Sequence, residues 1–197
     1  MGELKATGTP GTSPVIRVRH LKENVAALDC FDSEVQGAIR RDLGDTVGLV
    51  ERSASSAWLP IEVDIELGEA VGRACGEDGV YEWSRRALER SMGGPLLSGI
   101  VRGALGMFGP DPKGLLKLVP RSISSVYRNC GTWSSTEISA KAVDLHWHEV
   151  PQAFKASELS QVGFAGAFVA VLDVVRASGE ATCAATPDGI DFRIRWR

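Results

Sequence analysis

The longest apolar run of the chain lies towards its C-terminal end, at residues 162–175. It reads VGFAGAFVAVLDVV, and Asp173 is its only charged residue. A break at Pro151 precedes the run, and residues 190–196 follow it with strict alternation of apolar and polar side chains. Such alternation is typical of a half-buried strand, whereas a longer continuous apolar run is typical of a buried helix. The pattern therefore predicts a buried helix packed on a sheet.

Helical periodicity dominates the chain before residue 131. Ser33 followed by Gln36 forms a capping-box pattern, and apolar residues at helical spacing lead from there to Gly44, which predicts a helix over 33–43. Further helices are predicted over residues 79–92, over 96–108, and from 111 to 130 with Gly131 as the C-terminal cap. Pro120 lies inside the last of these, so it is expected to kink that helix or to begin a new one.

Two short segments in this half have alternating patterns. Residues 15–19 alternate apolar and basic side chains, which predicts a short edge strand. Residues 61–67 alternate apolar and acidic side chains, which taken alone favours a strand. However, Asp64 would cap a helix whose apolar face runs from Leu67 towards Gly76. We favour the helix, and the strand remains the alternative.

After Gly131 the period changes from helical to twofold. Residues 132–149 are rich in β-branched and aromatic side chains, and the apolar face switches near Ala142, which indicates a bulge, a bend or two strands. The remaining elements are a helix over 157–178, a strand over 180–186, a turn at 187–189 ending in a glycine expected at positive φ, and a strand over 190–196.

The order of these elements defines the fold class. A helical N-terminal subregion, 15–130, is followed by a β-β-α-β-β subregion, 131–197, that forms an antiparallel sheet with a buried helix. Segregated helices and an antiparallel sheet make a single α+β domain over 15–197. Residues 1–14 are rich in Gly, Thr, Ser and Pro, which predicts a disordered tail.

Composition narrows the partners and the compartment. The net charge of -3 argues against a nucleic-acid-binding surface, which is usually basic. The four cysteines are dispersed without a CxxC pair, so we expect reduced thiols in a cytoplasmic protein. The apolar run at 162–175 is shorter than the roughly 20 residues that a membrane span needs, so no span is predicted.

Five short motifs resemble a family of bacterial proteins of about this length that is expanded in myxobacteria. They are WLPI at 58–61, GGP at 93–95, YRNCG at 127–131, HEVP at 148–151 and FRIRW at 192–196. The helical half followed by a β-β-α-β-β half also resembles haem–nitric-oxide-binding and vinyl-reductase-type ligand-binding domains. Those folds serve in bacterial sensing and, in relatives, as dimerising scaffold subunits of vesicle-tethering complexes. The resemblance implies a binding or regulatory module rather than a metabolic enzyme.

The same resemblance raises the question of haem. Haem-binding members carry a Tyr-x-Ser-x-Arg signature for the propionates, whereas Tyr127 is followed directly by Arg128 in this chain. The region before the late strands also offers no obvious proximal histidine. No cofactor is therefore predicted, and haem and zinc are the less favoured alternatives.

The zinc alternative comes from a histidine pair in the predicted sheet. His146 and His148 are two residues apart, so on a strand they point to the same side, and Asp144 shares that side. Three such side chains suit zinc or non-haem iron. The competing interpretation is a solvated polar strand face. Because the chain has neither a Gly-x-Ser-x-Gly elbow nor a phosphate-binding glycine loop, an enzyme is not favoured.

Two further sets of residues are candidates for binding. Aromatic side chains that would meet between the helices and the sheet predict a small-ligand pocket, with core packing as the alternative: Tyr81, Trp83, Tyr127, Trp133 and Trp147. Small residues form a ridge on the apolar helix, which predicts close approach of the chain's own elements or of a second copy: Gly163, Gly166, Ala167 and Ala170.

Three functional hypotheses follow. We favour a non-enzymatic bacterial ligand-binding or regulatory module of sensory type, expected to be dimeric. The first alternative is a scaffold or protein-interaction domain without a small-molecule site. The second is a metal-dependent enzyme that uses the histidine pair.

Overall fold

A computed structural model describes residues 13–197, so most of the expected disordered tail, 1–14, lies outside the described residues. The described residues form an α+β fold with two antiparallel sheets. The strands are β1 (Val15–Arg17), β2 (Trp58–Pro60), β3 (Tyr127–Arg128), β4 (Thr132–Ser139), β5 (Ala142–His148), β6 (Gly179–Ala185) and β7 (Gly189–Trp196). The helices are α1 (Val18–Ala26), α2 (Ser33–Leu43), α3 (Thr46–Arg52), α4 (Glu62–Gly93), α5 (Ser98–Phe108), α6 (Pro112–Leu116), α7 (Val119–Ser122), α8 (Gln152–Ala156) and α9 (Glu158–Val174).

The smaller sheet ties the N-terminus to the middle of the chain. Its strand order is β2-β1-β3, so β1 is the central strand rather than the predicted edge strand. The sequence pattern did not identify β2 or β3 because each has three residues or fewer, too short to show a period. Arg17 and Arg128 lie over the ring of Trp58, with guanidinium carbons 4.2 and 4.1 Å from its centroid. These cation–π contacts cover the sheet's outer face.

The ambiguous segment at 61–67 is helical, as favoured. It opens α4, the longest element of the chain, which is interrupted at Gly76 by a non-helical backbone with φ 70°. A positive φ costs glycine almost nothing, because it has no Cβ, so Gly76 is a natural place for the break. The two predicted helices at 64–76 and 79–92 are thus one interrupted element.

The larger sheet has the predicted β-β-α-β-β connectivity and the strand order β4-β5-β7-β6. Two strands, β4 and β5, account for the change of apolar face near Ala142, since they meet at a turn over 140–141 and their register shifts between Glu137 and Ser139. The inward side chains of β5 and β7 are buried: Val143, Leu145, Trp147, Ile190, Phe192, Ile194 and Trp196.

The apolar run forms α9, which begins where predicted. The Ser157 hydroxyl accepts a hydrogen bond from the Ser160 amide and caps the helix. The helix lies between α4 and the larger sheet, and its residues Phe168, Ala170 and Leu172 are buried. The chain therefore places its most apolar segment at the centre of the core, which is the layer arrangement an α+β domain needs.

Four local predictions were wrong in detail. The cap of α2 is Asp32, one residue before Ser33, and its carboxylate accepts from the amides of residues 34 and 35. The helix expected to continue to residue 130 ends at the 3₁₀ turn Ile123–Ser125, because the next residues join the smaller sheet as β3. The last long helix ends at residue 174 rather than 178. Gly189 has no positive φ; a Cβ there would strike the carbonyl oxygen of Trp147 on β5.

Candidate ligand cavity

An apolar cavity opens between α1, α4, α5 and α9. Its volume is about 150 Å³ when measured as the space open to the centre of a water molecule. It is about 1180 Å³ when all space free of protein atoms is counted, including open solvent at the mouth. Val80, Trp83 and Ala87 on α4 form one wall, and α9, which packs directly against α4, contributes the adjoining wall with Phe164 and Phe168. Folded interiors are usually packed as densely as organic crystals, so an open volume of this kind makes the cavity the candidate binding site.

The lining is apolar over most of its extent. Helix α5 and the segments on either side of it supply aliphatic side chains on the third side: Leu97, Ile100, Val101, Ala104, Leu115, Leu118 and Val119. Neither lysine nor arginine occurs among the lining residues of the described chain. The cavity therefore favours a ligand with a large apolar body and offers no cationic partner to an anion.

One end of the cavity is polar and is built around Asp64. The Asn24 amide donates to Asp64 Oδ1 at 2.7 Å, and the Tyr127 hydroxyl donates to Asp64 Oδ2 at 2.7 Å. These three residues come from α1, α4 and β3, so the smaller sheet and two of the core helices meet at this point. All three line the cavity. We call them the Asp64 cluster.

Hydrogen bonds between α1 and α4 hold the Asn24 side of this cluster in place. Trp83 Nε1 donates to the Asn24 carbonyl oxygen at 2.8 Å inside the core. One turn earlier on α1, His20 Nδ1 lies 3.0 Å from the Ser91 hydroxyl, and both residues are buried. Tryptophan and serine on α4 thus fix the position of α1 at the polar end.

Burial sets the charges at this end. Loss of solvation raises the pKa of Asp64 to about 6, partly offset by the hydrogen bonds from Tyr127 and Asn24. Burial lowers the pKa of His20 to about 4, so the imidazole is neutral at pH 7. Burial also raises the pKa of Tyr127 well above its ordinary value, and the neighbouring Asp64 carboxylate adds to this. At neutral pH the end is therefore neutral apart from the negative charge on Asp64.

The five predicted aromatic residues fall into three groups. Trp83 and Tyr127 line the cavity. Trp133 and Trp147 stack at 4.7 Å between ring centroids and pack beneath the lining residue Phe164, so they belong to the core that supports the cavity. Tyr81 lies apart, beside a shallow polar notch near the α9 C-terminus. The pocket and core-packing alternatives thus each describe part of the set.

The pattern did not single out three of the polar residues that line the cavity. Asp64 entered only as a possible helix cap, whereas His20 and Asn24 lie on α1, a helix that was not predicted. Their convergence depends on the crossing of α1 and α4, which a local period cannot show. Polar residues at positions that face a helical core would have been the available signal.

The histidine pair lies on one face of β5, as expected, with imidazole centroids 6.2 Å apart. Its partners are protein side chains. Arg193 donates twice to the Asp144 carboxylate, at 2.8 and 2.6 Å. His146 has Asp191 on one ring nitrogen and Thr136 on the other, at 2.9 and 3.1 Å. Within residues 13–197, no group of three His, Cys, Asp or Glu side chains is arranged to hold a metal ion.

The small-residue ridge of α9 packs against α4 of the same chain. A Cβ on Gly166 would strike the carbonyl oxygen of Tyr81, and one on Gly163 would come within 2.8 Å of the Ser84 hydroxyl oxygen. Ala170 is fully buried, and Ala167 lines the cavity. The ridge therefore sets the close spacing of the two helices that form adjoining walls of the cavity.

Together, the helical half and the four-stranded sheet form an α+β fold that contains an apolar cavity open to solvent. Comparison with solved structures agrees with the expected architecture: the fold is that of H-NOX domains. A mutant of the H-NOX protein from K. algicida, in its Fe(II) unliganded form, is 13% identical, with 92% of this chain and 97% of that chain covered and a TM-score of 0.63. A Cs H-NOX mutant is 8% identical, with 92% and 97% covered and a TM-score of 0.63.

A third structure, from work on haem redox potential and porphyrin distortion, is 9% identical, with 91% of this chain and 99% of that chain covered and a TM-score of 0.59. At these identities the likeness shows the fold. No protein-family model and no curated protein sequence matches the chain. Among residues 13–197, no helix combines the length and the apolar character needed to cross a bilayer.

Proposed function

We propose that the chain is a non-enzymatic ligand-binding module of sensory type, and that its ligand occupies the apolar cavity lined by α1, α4, α5 and α9. The observation that carries this proposal is the cavity itself, which is open within an otherwise well-packed core. The H-NOX-like fold supports a sensory role. The four free cysteines fit a reducing compartment, in line with a bacterial cytoplasmic protein.

Apolar burial supplies the driving force for such a ligand. Each square ångström of apolar surface removed from water stabilises the bound state by about 25 cal/mol. Since side chains of α4, α9 and α5 all line the cavity, a bound apolar body would be covered by each of these helices. Filling the space also restores the dispersion contacts that the lining side chains lack when the cavity is empty.

Haem does not fit this lining. Two propionates carry two negative charges that call for cationic partners, and among the described residues of the lining there is neither lysine nor arginine. His20 is the lining's imidazole, but it lies against Ser91 at the polar end, beside the Asp64 cluster. A dianionic cofactor would thus meet a negative charge rather than a positive one. We therefore propose an organic ligand other than haem.

A cavity-filling variant tests the proposal. Ala167→Phe places a ring into the cavity from α9, and the same change at Ala38, on the exposed face of α2, is the matched control. Native mass spectrometry of freshly purified wild type and Ala38→Phe is expected to show a retained small molecule that Ala167→Phe has lost. Equal spectra for all three folded proteins would contradict the assignment of the ligand to this cavity. A stoichiometric Soret band in protein expressed with a haem precursor would contradict the exclusion of haem.

A protein partner or a second copy is a compatible second proposal, favoured by the outer face of α5. Met107 is 76% exposed and Phe108 is 41% exposed, which is unusual for large apolar side chains so close in sequence. Sedimentation of Met107→Ser/Phe108→Ser against wild type tests it, with Leu49→Ser on α3 as the control. A dimer that survives the double change would contradict an interface at α5.

A further inference from the structure

The Asp64 cluster has more hydrogen-bond acceptors than donors. The carboxylate accepts one bond at each oxygen, from Asn24 and from Tyr127, although two oxygens offer about four acceptor positions. Asn24 Oδ1 is buried and has no hydrogen-bond partner in the described structure. An unsatisfied buried acceptor is destabilising, so such groups are rare in native cores. The cluster therefore lacks a donor, and because Asn24 Oδ1 itself has almost no accessible surface, the acceptor offered to a ligand in the cavity is the Asp64 carboxylate.

The orientation of the Asn24 amide is fixed by its neighbour. Rotating the amide by half a turn would place its oxygen against the Asp64 carboxylate, where two acceptors would face each other. The observed orientation puts Nδ2 on Asp64 Oδ1 and leaves Oδ1 as the unpartnered atom. The surplus acceptor is thus a consequence of the cluster and not an arbitrary choice of rotamer.

Asp64 also faces the cavity. It lies among buried residues of α4, yet it retains accessible surface, and it belongs to the lining. Its surroundings contain no lysine or arginine side chain within the described lining that could neutralise it. Burial raises the pKa of Asp64 to about 6, so at pH 7.5 the group is still ionised in most molecules. A ligand atom at this end therefore meets a negatively charged acceptor.

We infer that the ligand carries a hydrogen-bond-donor head group, a hydroxyl or a protonated amine, which binds at the Asp64 cluster while an apolar body fills the rest of the cavity. This inference rests on the proposed function and specifies its ligand class. A carboxylate head group is excluded by charge, since it would bring a second anion to Asp64. A head group that only accepts hydrogen bonds leaves the deficit unchanged.

A head-group series on one apolar body tests the inference with the full chain. N-Phenyl-1-naphthylamine, a neutral apolar dye, reports occupancy of the cavity by fluorescence. It is displaced at pH 7.5 by decan-1-ol, decylamine, methyl decanoate or decanoate. One satisfied donor is expected to lower the dissociation constant of decan-1-ol about tenfold relative to methyl decanoate, and decanoate is expected to bind weakest. Decylamine binding tighter than decan-1-ol would identify the charged donor as the preferred one, and the reverse order the neutral one.

The variant Asp64→Asn removes the charge and one acceptor, and Asp188→Asn in the exposed β6–β7 loop is the matched control. Asp64→Asn is expected to reduce the preference for decan-1-ol over methyl decanoate to about twofold or less, with dye binding retained. If Asp64→Asn does not fold, the wild-type series decides alone. Dye binding with equal displacement by all four compounds overturns the donor head group but leaves the ligand cavity standing. No dye binding to wild type overturns the proposed function and this inference with it.

Discussion

Replacing Gly166 by alanine tests the close packing of α9 on α4. A Cβ at this position would strike the carbonyl oxygen of Tyr81 and come within 2.9 Å of its carbonyl carbon. Both atoms belong to the α4 backbone, so no side-chain rotation relieves the overlap. The two helices would have to separate, and both line the cavity.

The magnitude follows from two opposing effects. Overpacking a dense core costs about 1–3 kcal/mol, and contact with backbone atoms places this site at the upper end of that range. Alanine recovers about 1 kcal/mol over glycine in a helix. The net expectation for Gly166→Ala is a loss of about 2 kcal/mol in the free energy of unfolding. For a chain of this length, that corresponds to a fall in Tm of about 4–8 °C.

Thermal and urea denaturation, together with sedimentation, measure the effect. Gly103→Ala on α5 is the matched control, because nothing lies within 4 Å of a Cβ added there and the helical preference of alanine should raise Tm. A Gly166→Ala protein as stable as wild type would refute the close packing of α9 on α4. Unchanged stability with loss of a dimer would instead assign the ridge Gly163, Gly166, Ala167 and Ala170 to an interface between chains.

Two further predictions concern pH. Burial lowers the pKa of His20 from 6.5 to about 4, so between these pH values the unfolded chain binds a proton that the folded chain does not. Acidification from pH 6.5 to 4 therefore lowers the free energy of unfolding of wild type by about 3 kcal/mol, a loss that His20→Gln does not suffer. The pKa of Asp64 is raised by folding, so protonation of Asp64 stabilises the folded chain on acidification, and His20→Gln is expected to gain stability between pH 6 and 4 in urea titrations. Parallel plots of unfolding free energy against pH for wild type and variant would contradict this. The hydrogen bonds from Arg193 lower the pKa of Asp144, so Asp144→Asn is expected to destabilise the fold at pH 7. This destabilisation is expected to disappear as the pH falls below the ordinary pKa of aspartate. A difference in stability between wild type and variant that persists at low pH would contradict the prediction.

Elements whose apolar pattern repeats over many residues could be predicted from the sequence, and elements of two or three residues could not. The alternation at 190–196 and the apolar run of α9 predicted the β-β-α-β-β half because each pattern spans several repeats and one buried face. The strands β2 and β3 were missed because their position depends on pairing with β1, a contact distant in sequence. The same cause ended the helix before residue 127.

Two of the five aromatic residues expected at a pocket lie in the lining of the cavity. Trp83 and Tyr127 were expected to line a pocket because large aromatic residues with a polar atom are common in binding sites, and both do line the cavity. Asp64, by contrast, carries its significance through Asn24 and Tyr127, which lie on two other elements. A single sequence shows residue types and periods, whereas this cluster exists only after α1 and β3 have packed against α4. For His146 and His148 the sequence spacing suits a metal site, but in the structure their ring nitrogens contact neighbouring side chains.

Binding of an apolar ligand in the cavity lined by α1, α4, α5 and α9 is the central claim, and displacement of N-phenyl-1-naphthylamine measures it most directly. Wild type and Ala38→Phe are expected to bind the dye at one site per chain and to release it when decan-1-ol is added. Folded Ala167→Phe is expected to bind the dye at least about tenfold more weakly, because the added ring occupies the space that the dye needs. Dye affinity that is the same in all three proteins would contradict the claim.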